Sequence, residues 1–308
     1  MSLLKIRGLS VTFDTLQGPF KAIEDIDLDV EELDTLAIVG ESGCGKSVLG
    51  HATMRLLDDI AVVRGSVIYR GREVYAMSRK ELLEMRGKAI SLVPQSPSAS
   101  FNPVIRIGKQ ITELIEKAGV AHGMEAEQRA LTYLEYVGFS DPHAIFGSYP
   151  HRMSGGMCER ALIAMSTSTE PDLIIADEPT KGLDALSRKN ILDMLHRMTA
   201  ESSLIMITHD LKAAAMCKRI AVMYSGEIIE IGPTRVVLEH PVHHYTRGLI
   251  DAQPSRGMRP IPGRHTICSH KSEGCRFRDR CDRVRTECGR HTLLREIEEG
   301  HMVRCHYA

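Results

Sequence analysis

The sequence predicts an α/β fold: a mostly parallel sheet carrying a phosphate-binding loop, with an N-terminal antiparallel β subdomain, a helical insertion and a C-terminal cysteine-containing extension. Three observations carry this. The octet Gly40-Glu41-Ser42-Gly43-Cys44-Gly45-Lys46-Ser47 lies between the apolar run Leu36-Ala37-Ile38-Val39 and the helical stretch from Val48 to Leu57. The apolar runs Ala89 to Val93, Leu173 to Ala176 and Leu204 to Thr208 each give way within two positions to a polar residue, where buried strands of open α/β sheets present ligand-contacting groups. Residues 4 to 13 alternate apolar and polar, as a half-buried strand does.

The octet dictates its own chemistry. Gly40, Gly43 and Gly45 let the backbone curl so that its N–H groups point inward, and the following helix adds partial positive charge. A nucleoside triphosphate, ATP or GTP, fits such a nest. Lys46 reaches the β- and γ-phosphates, and the Ser47 hydroxyl ligates the accompanying Mg²⁺. Cys44, beside a helix N-terminus and Lys46, is expected to be a reactive thiol that maleimide labels unless ATP is bound; the plainer reading is a small filler at a variable position.

Composition narrows the field. A net charge of −1 provides no global attraction to nucleic acid or anionic lipid, and 5% aromatic residues with no Trp argue against a base-stacking surface. No apolar run approaches the ~18 residues that span a bilayer, and Met1-Ser2-Leu3-Leu4-Lys5 lacks a signal-peptide core. A cytosolic chain is expected, serving a membrane only through partners. Of eight cysteines, five follow Cys217, a clustering that suggests a metal site more than a disulfide framework.

Along the chain, strands are expected at 4–13, from Ala22 to Val30 and from Val62 to Tyr69, with a turn at Gln17-Gly18-Pro19. Phe13 either fills the core of this small sheet or stacks on adenine. Gln95 follows the strand ending at Val93. From Ile105 to Tyr149 the pattern is helical, with Ile107, Ile111, Leu114 and Ile115 on one stripe and Leu131, Leu134 and Val137 on another. Ser154-Gly155-Gly156 opens a helix reaching about Thr169, either as an ordinary cap or as a second anion site.

Asp177-Glu178 ends a buried strand, where two unpaired acids would cost several kcal/mol. With the lysine loop upstream, Asp177 is placed to hold Mg²⁺ through water, and Glu178 to orient and deprotonate an attacking water. Gly182-Leu183-Asp184 reads as a turn before a helix from Ile191 to Met198. His209 ends the next strand and is placed as a γ-phosphate contact. Ile220 to Tyr224 and Ile228 to Ile231 form a hairpin around Ser225-Gly226-Glu227, and Gly232-Pro233 closes the domain.

Taken together, the phosphate loop, Gln95, Ser154-Gly155-Gly156, Asp177-Glu178, Asp184 and His209 resemble the ATP-binding subunits of ABC transporters, over about residues 3–250. The resemblance implies an ABC ATPase domain at 1–253, a helical insertion at about 97–168 that receives membrane subunits, and an extension at 254–308. It further implies an adenine contact from Phe13, Mg²⁺ ligation by Ser47, Gln95 and Asp177, and catalytic roles for Glu178, His209 and Gln95. ATP held by residues 40–47 would be closed over in trans by Ser154, Gly155, Gly156 and Asp184 of a second, paralogous or identical, ATPase subunit arranged head to tail. Two membrane permease subunits, an external substrate-binding protein and a peripheral location at the cytoplasmic face of the membrane follow, with no nucleic-acid partner.

Ala161 to Met165, Ile207 to Leu211, Ala221 to Gly226 and His243-His244-Tyr245-Thr246-Arg247-Gly248-Leu249 are similar to the oligopeptide, dipeptide and nickel importer subfamily. Its members carry a cysteine-bearing tail, here Cys275-x5-Cys281-x6-Cys288-x16-Cys305, with Arg280 before the second thiol and His306 after the last. The tail resembles the [4Fe–4S]-bearing extension of some peptide-importer ATPases; zinc or an empty thiol cluster are the alternatives, and Cys268 is a nearby thiol outside the pattern. Eleven arginines after Ser255 either offset the charge of a thiolate-bound cluster or form a solvated surface. His240, His243 and His244 suggest nickel but do not discriminate it from peptide. The chain departs from the family at Cys158-Glu159, Lys181-Gly182 and Leu33-Asp34, none of which removes a catalytic group. The expected function is an ATPase energising import of small peptides or nickel complexes. Other readings are a soluble non-transport ABC ATPase, or a transporter ATPase gated by a redox- or metal-sensing tail.

Overall fold

The computed structural model describes residues 2–263 and 274–308. Cys268, singled out above, lies outside them. In chain order the first elements are β1 (Ser2–Thr15), β2 (Gly18–Glu31), β3 (Thr35–Val39), α1 (Lys46–Thr53), β4 (Ala61–Tyr69) and β5 (Arg72–Glu73). The middle of the chain forms α2 (Arg79–Met85), β6 (Ile90–Val93), α3 (Pro97–Ser100), α4 (Ile107–Lys117), α5 (Met124–Tyr136), α6 (Pro142–Phe146), α7 (Gly155–Thr167), β7 (Leu173–Asp177) and α8 (Ala185–Met198). There follow β8 (Ser203–Thr208), α9 (Leu211–Ala214), β9 (Arg219–Tyr224), β10 (Glu227–Pro233), α10 (Thr234–Glu239), α11 (His244–Asp251), β11 (Arg295–Glu298) and β12 (His301–Val303). The chain divides into two compact units, Met1–Ala76 with Met206–Ala308, and Met77–Ile205, the boundary falling within β8.

The first unit contains the antiparallel sheet β2-β1-β4-β5. Its register sets Leu4 opposite Val30, Ile6 opposite Leu28, Leu9 opposite Ile26 and Val11 opposite Ile23, all buried. This is the alternation read from the sequence, expressed as one apolar face. The hairpin closes one residue earlier than expected: Thr15 pairs with Gly18, so Leu16-Gln17 form the turn and Gly18 and Pro19 belong to β2.

The same unit holds the strands β11-β12-β10-β9-β3 side by side. β3 runs parallel to β9, Val39 opposite Val222, and β9, β10 and β12 continue antiparallel. The hairpin turn is Ser225-Gly226, with Glu227 already in β10, and Gly232-Pro233 are its last residues before α10. The tail therefore donates two strands to the unit that carries the octet. Buried Glu230 anchors this arrangement. Its carboxylate accepts from the N–H groups of Val242 (2.8 Å) and His243 (2.9 Å) and lies 2.9 Å from His301 Nε2.

Between β2 and β3, Leu33 is 53% exposed with φ 58°, a left-handed conformation that an L side chain adopts at a cost. Its neighbour Asp34 is ion-paired to Arg219 at 2.9 Å. The Leu33-Asp34 departure is thus a strained turn followed by a satisfied buried acid.

In the second unit β6 and β7 are parallel neighbours, Val93 opposite Ala176, and Ser166 of α7 donates to Leu92 O at 3.0 Å. Ile107, Ile111 and Ile115 of α4 and Leu134 and Val137 at the end of α5 are buried, as the helical stripes require. Helix α8 begins six residues before Ile191, because the Asp184 carboxylate accepts from the N–H groups of Leu186 and Ser187, both at 3.0 Å.

Glu159 of α7 is 4% exposed, and its Oε1 has no hydrogen-bond partner among the described residues. Burial pushes its carboxyl up from 4.5 to about 8. The folded chain therefore keeps a proton that the unfolded chain releases, and stability falls as pH rises from 4.5 to about 8. Glu159→Gln preserves shape and removes this titration. It should stabilise by ~1–3 kcal/mol at pH 8.5 and by much less at pH 5 in thermal unfolding; an equal gain at both pH values would contradict the assignment.

Candidate nucleotide site and cysteine module

The nucleotide loop of the first unit is built from both ends. Leu36 to Val39 of β3 are buried, so the strand delivers Gly40 at a fixed point. A Cβ on Gly40 would meet Met223 O at 2.2 Å, and one on Gly45 (φ 104°) would meet Ala22 O at 2.7 Å. The loop is wedged between two neighbouring backbones, and only glycine allows that approach. Further ties hold it: Gly226 N–H donates to Cys44 O (2.9 Å), and Glu24 N–H to Gly226 O (2.9 Å).

Lys46 is 6% exposed, and its ammonium donates to Gly40 O (2.8 Å) and Glu41 O (3.0 Å). Its charge therefore rests against the loop's own carbonyls. Ser47, in the first turn of α1, is half-buried. Cys44 corrects an expectation: it is 0% exposed, its Sγ 3.8 Å from Lys46 Nζ, so no reagent reaches it without the loop opening. Phe13 is half-buried opposite Phe20 in the β1–β2 hairpin. His209 also belongs to this unit, exposed just after β8.

The second unit holds the remaining residues. Gln95 and Glu178 each follow by two residues the paired positions Val93 and Ala176, so both leave the same edge of adjacent parallel strands. Gln95 is exposed; Asp177 and Glu178 are 3% and 8% exposed. Glu178 adopts φ 51°, a left-handed conformation in a non-glycine residue where the strand ends. Ser154 caps α7 through Met157 N–H (3.3 Å), and Gly155 is exposed and Gly156 half-buried beside it. Ser154 and Gly156 line a cleft shared with Leu183 and Ser187, so the N-termini of α7 and α8 open on one surface. Lys181 and Gly182 are exposed in the turn before it. Asp184 already uses its carboxylate as a helix cap and as acceptor for Ser187 Oγ (2.6 Å), which holds it well below the usual carboxylate range.

In the tail, Cys275, Cys281, Cys288 and Cys305 line a single small cavity with His243, His244 and Phe277. Among the described residues, only His244, Cys281 and Asp282 bring three candidate ligand atoms within 4.8 Å of one another. No three of the four thiols do so, whereas thiolates around one tetrahedral zinc stand about 3.8 Å apart given a Zn–S bond of about 2.3 Å. Burial pushes the Cys275 thiol up to about 12 and raises Cys281. His243 is a structural residue: its Nδ1 caps α11 by accepting from Tyr245 N–H at 3.1 Å, and burial pushes it down to about 3. His244 instead pairs with Asp282 at 3.0 Å.

Contacts that no local sequence signal announced join the tail to the loop. Arg280 donates from both terminal nitrogens to the Glu41 carboxylate, at 2.9 and 3.0 Å, and Glu41 N–H donates to Tyr245 Oη at 2.9 Å. Arg276 donates to Ser225 O and pairs with Glu24. The partners are up to 252 residues apart.

Residues 23–181 match the family described as ABC transporter, and residues 229–288 match the family described as oligopeptide/dipeptide transporter, C-terminal region. The chain is 36% identical to the oligopeptide transport ATP-binding protein OppD of Escherichia coli, covering 99% of this chain and 93% of that protein. It is 39% identical to the OppD of Bacillus subtilis over 89% of this chain and 80% of that one. A solved ATP-binding cassette, dimeric in a post-hydrolysis state with ADP and Pi, has a similar fold, with a TM-score of 0.68 at 23% identity over 75% of this chain and 99% of the other. Among the described residues no helix is long and apolar enough to cross a membrane. The chain belongs to the ABC transporter family as an ATP-hydrolysing, ATP-binding subunit, and it carries the C-terminal region of the oligopeptide/dipeptide branch.

Proposed function

We propose that the chain is the ATPase of an importer of small peptides, acting from the cytoplasmic face of the membrane on two permease subunits fed by an external binding protein. The observation that carries this reading is the presence in one chain of a wedged phosphate loop with a buried lysine and of the oligopeptide/dipeptide C-terminal region. The peptide-transport names of relatives matching most of the chain support the cargo class. Neither of these names speaks for nickel, and His243 is occupied as a helix cap.

In the proposed mechanism the loop N–H groups and Lys46 bind the β- and γ-phosphates, and Phe13 stacks on adenine. Ser47, Gln95 and Asp177 would hold Mg²⁺; a hydroxyl, an amide oxygen and a buried carboxylate are hard oxygen donors suited to it, and the ion supplies neutralisation of phosphate charge. Glu178 orients and deprotonates the attacking water, and His209 holds the γ-phosphate. Ser154, Gly155, Gly156 and Asp184 of a second subunit, paralogous or identical, close over the nucleotide. Because Asp184 is pinned by its own helix cap, it would offer the partner a fixed acceptor. Closure of the dimer turns the permeases outward, and hydrolysis resets them.

We also assign the cysteine module to a [4Fe–4S] cluster held by Cys275, Cys281, Cys288 and Cys305. The cavity that the four thiols share supports it. Bound there, a cluster supplies a covalent cross-link between distant tail segments.

Three outcomes follow. Lys46→Ala should weaken nucleotide binding, whereas Glu178→Gln should keep it and lower turnover by about 10²–10⁴-fold; near-wild-type hydrolysis by Glu178→Gln would remove its role. Cells lacking this subunit should lose uptake of labelled dipeptide and keep that of labelled nickel, and the reverse pattern would overturn the cargo assignment. Anaerobically purified chain should be brown, with roughly four irons and sulfides each; colourless, zinc-bearing protein would contradict the cluster.

A further inference from the structure

The nucleotide loop is held from two directions by residues that no step of the hydrolysis reaction uses. On one side, the Glu41 carboxylate is gripped by both terminal nitrogens of Arg280, at 2.9 and 3.0 Å. Arg280 is 8% exposed, donates from Nε to Pro262 O (2.9 Å) and from Nη1 to Tyr224 Oη (3.3 Å), and packs against the Phe277 ring. It has no room to swing away. The backbone of the same loop residue is tied to Tyr245 Oη, whose ring packs on Tyr224 and Phe277. On the other side, Arg276 holds Ser225 O and pairs with Glu24, fixing the Ser225-Gly226 turn whose N–H donates to Cys44 O.

The two arginines occupy particular places. Arg276 follows Cys275 and Arg280 precedes Cys281. Each therefore leaves the backbone next to a thiol of the tail cavity; Arg280 ends on Glu41 of the phosphate loop, and Arg276 on the Ser225-Gly226 turn that is hydrogen-bonded to that loop at Cys44. A fork of two parallel charge-assisted hydrogen bonds fixes direction as well as distance.

We propose that the cysteine module is a positioning brace for nucleotide binding, with Arg280 as its main contact: it acts through Glu41 to hold the phosphate loop in the conformation that accepts nucleotide. By reciprocity, nucleotide binding stabilises the module. The chemistry recognised is still a nucleoside triphosphate at Lys46, so the proposal rests on that reading of the site.

The test is fluorescent-ATP titration of the full-length chain, with Lys46→Ala as the reference. Arg280→Ala is expected to weaken binding about 5- to 50-fold, within the range typical of coupling between sites. Arg280→Lys should recover only part of the loss, because an ammonium restores the charge without the fork. Glu41→Gln, which leaves the module untouched, should weaken binding in the same direction, and the double variant should be no worse than the poorer single one. In the assembled transporter the ATP concentration for half-maximal hydrolysis should rise while the maximal rate is retained. If Arg280→Ala fails to fold, Glu41→Gln and Arg280→Lys decide the question alone. Affinity within twofold of wild type in Arg280→Ala and Glu41→Gln, or additive losses in the double variant, would overturn the brace. Failure of wild-type chain to bind ATP more tightly than Lys46→Ala would instead overturn the reading of the site.

Discussion

The constraint on which the rest depends is that one short glycine-rich loop must hold a buried lysine ammonium against its own carbonyls. A buried cation is costly to hold without fixed acceptors. The chain meets that cost by immobilising everything around the loop. Buried β3 fixes its start, the backbones of Ala22 and Met223 press on Gly45 and Gly40, and Lys46 rests on Gly40 O and Glu41 O. Rigid placement of this kind spares an incoming ligand the cost of ordering the loop.

The octet was legible in the sequence because its signal is local: a strand, glycines at fixed offsets, a lysine, a helix. The strands of the N-terminal sheet and the Asp177-Glu178 edge were legible for the same reason, since alternation and burial run along consecutive residues. The remaining features are set by contacts that no short window contains. The early start of α8 comes from Asp184 folding back on Leu186 and Ser187, a cap that was readable in principle but was masked by its reading as a turn. Cys44 has loop residues as its sequence neighbours, yet it is fully buried, and its carbonyl is held by Gly226 N–H of the hairpin turn. The grip of Arg280 on Glu41 spans 239 residues, and nothing in either neighbourhood announces it.

The tail changes character on the same grounds. Counted as composition, its arginines form a basic stretch. In the structure Arg276, Arg280 and Arg304 are each committed to particular acceptors: Glu24 and Ser225, Glu41 and Pro262, and Ile228 O and Thr292 O. With β11 and β12 extending the sheet through β10, the extension is part of the unit that bears the nucleotide loop. Helix α7 carries a feature of the opposite sense. Glu159 is a buried acid with an oxygen that finds no partner among the described residues, a local cost that nothing in the structure explains.

These features converge on the claim that nucleotide and tail are linked through Glu41. Hydrogen–deuterium exchange on the full-length chain, with and without Mg-ATP, tests it most directly. The account predicts that ATP slows exchange both in residues 40–47 and in the tail around Phe277 to Cys288, more than 200 residues away in sequence. Protection confined to residues 40–47, with the tail exchanging at the same rate in both conditions, would contradict it.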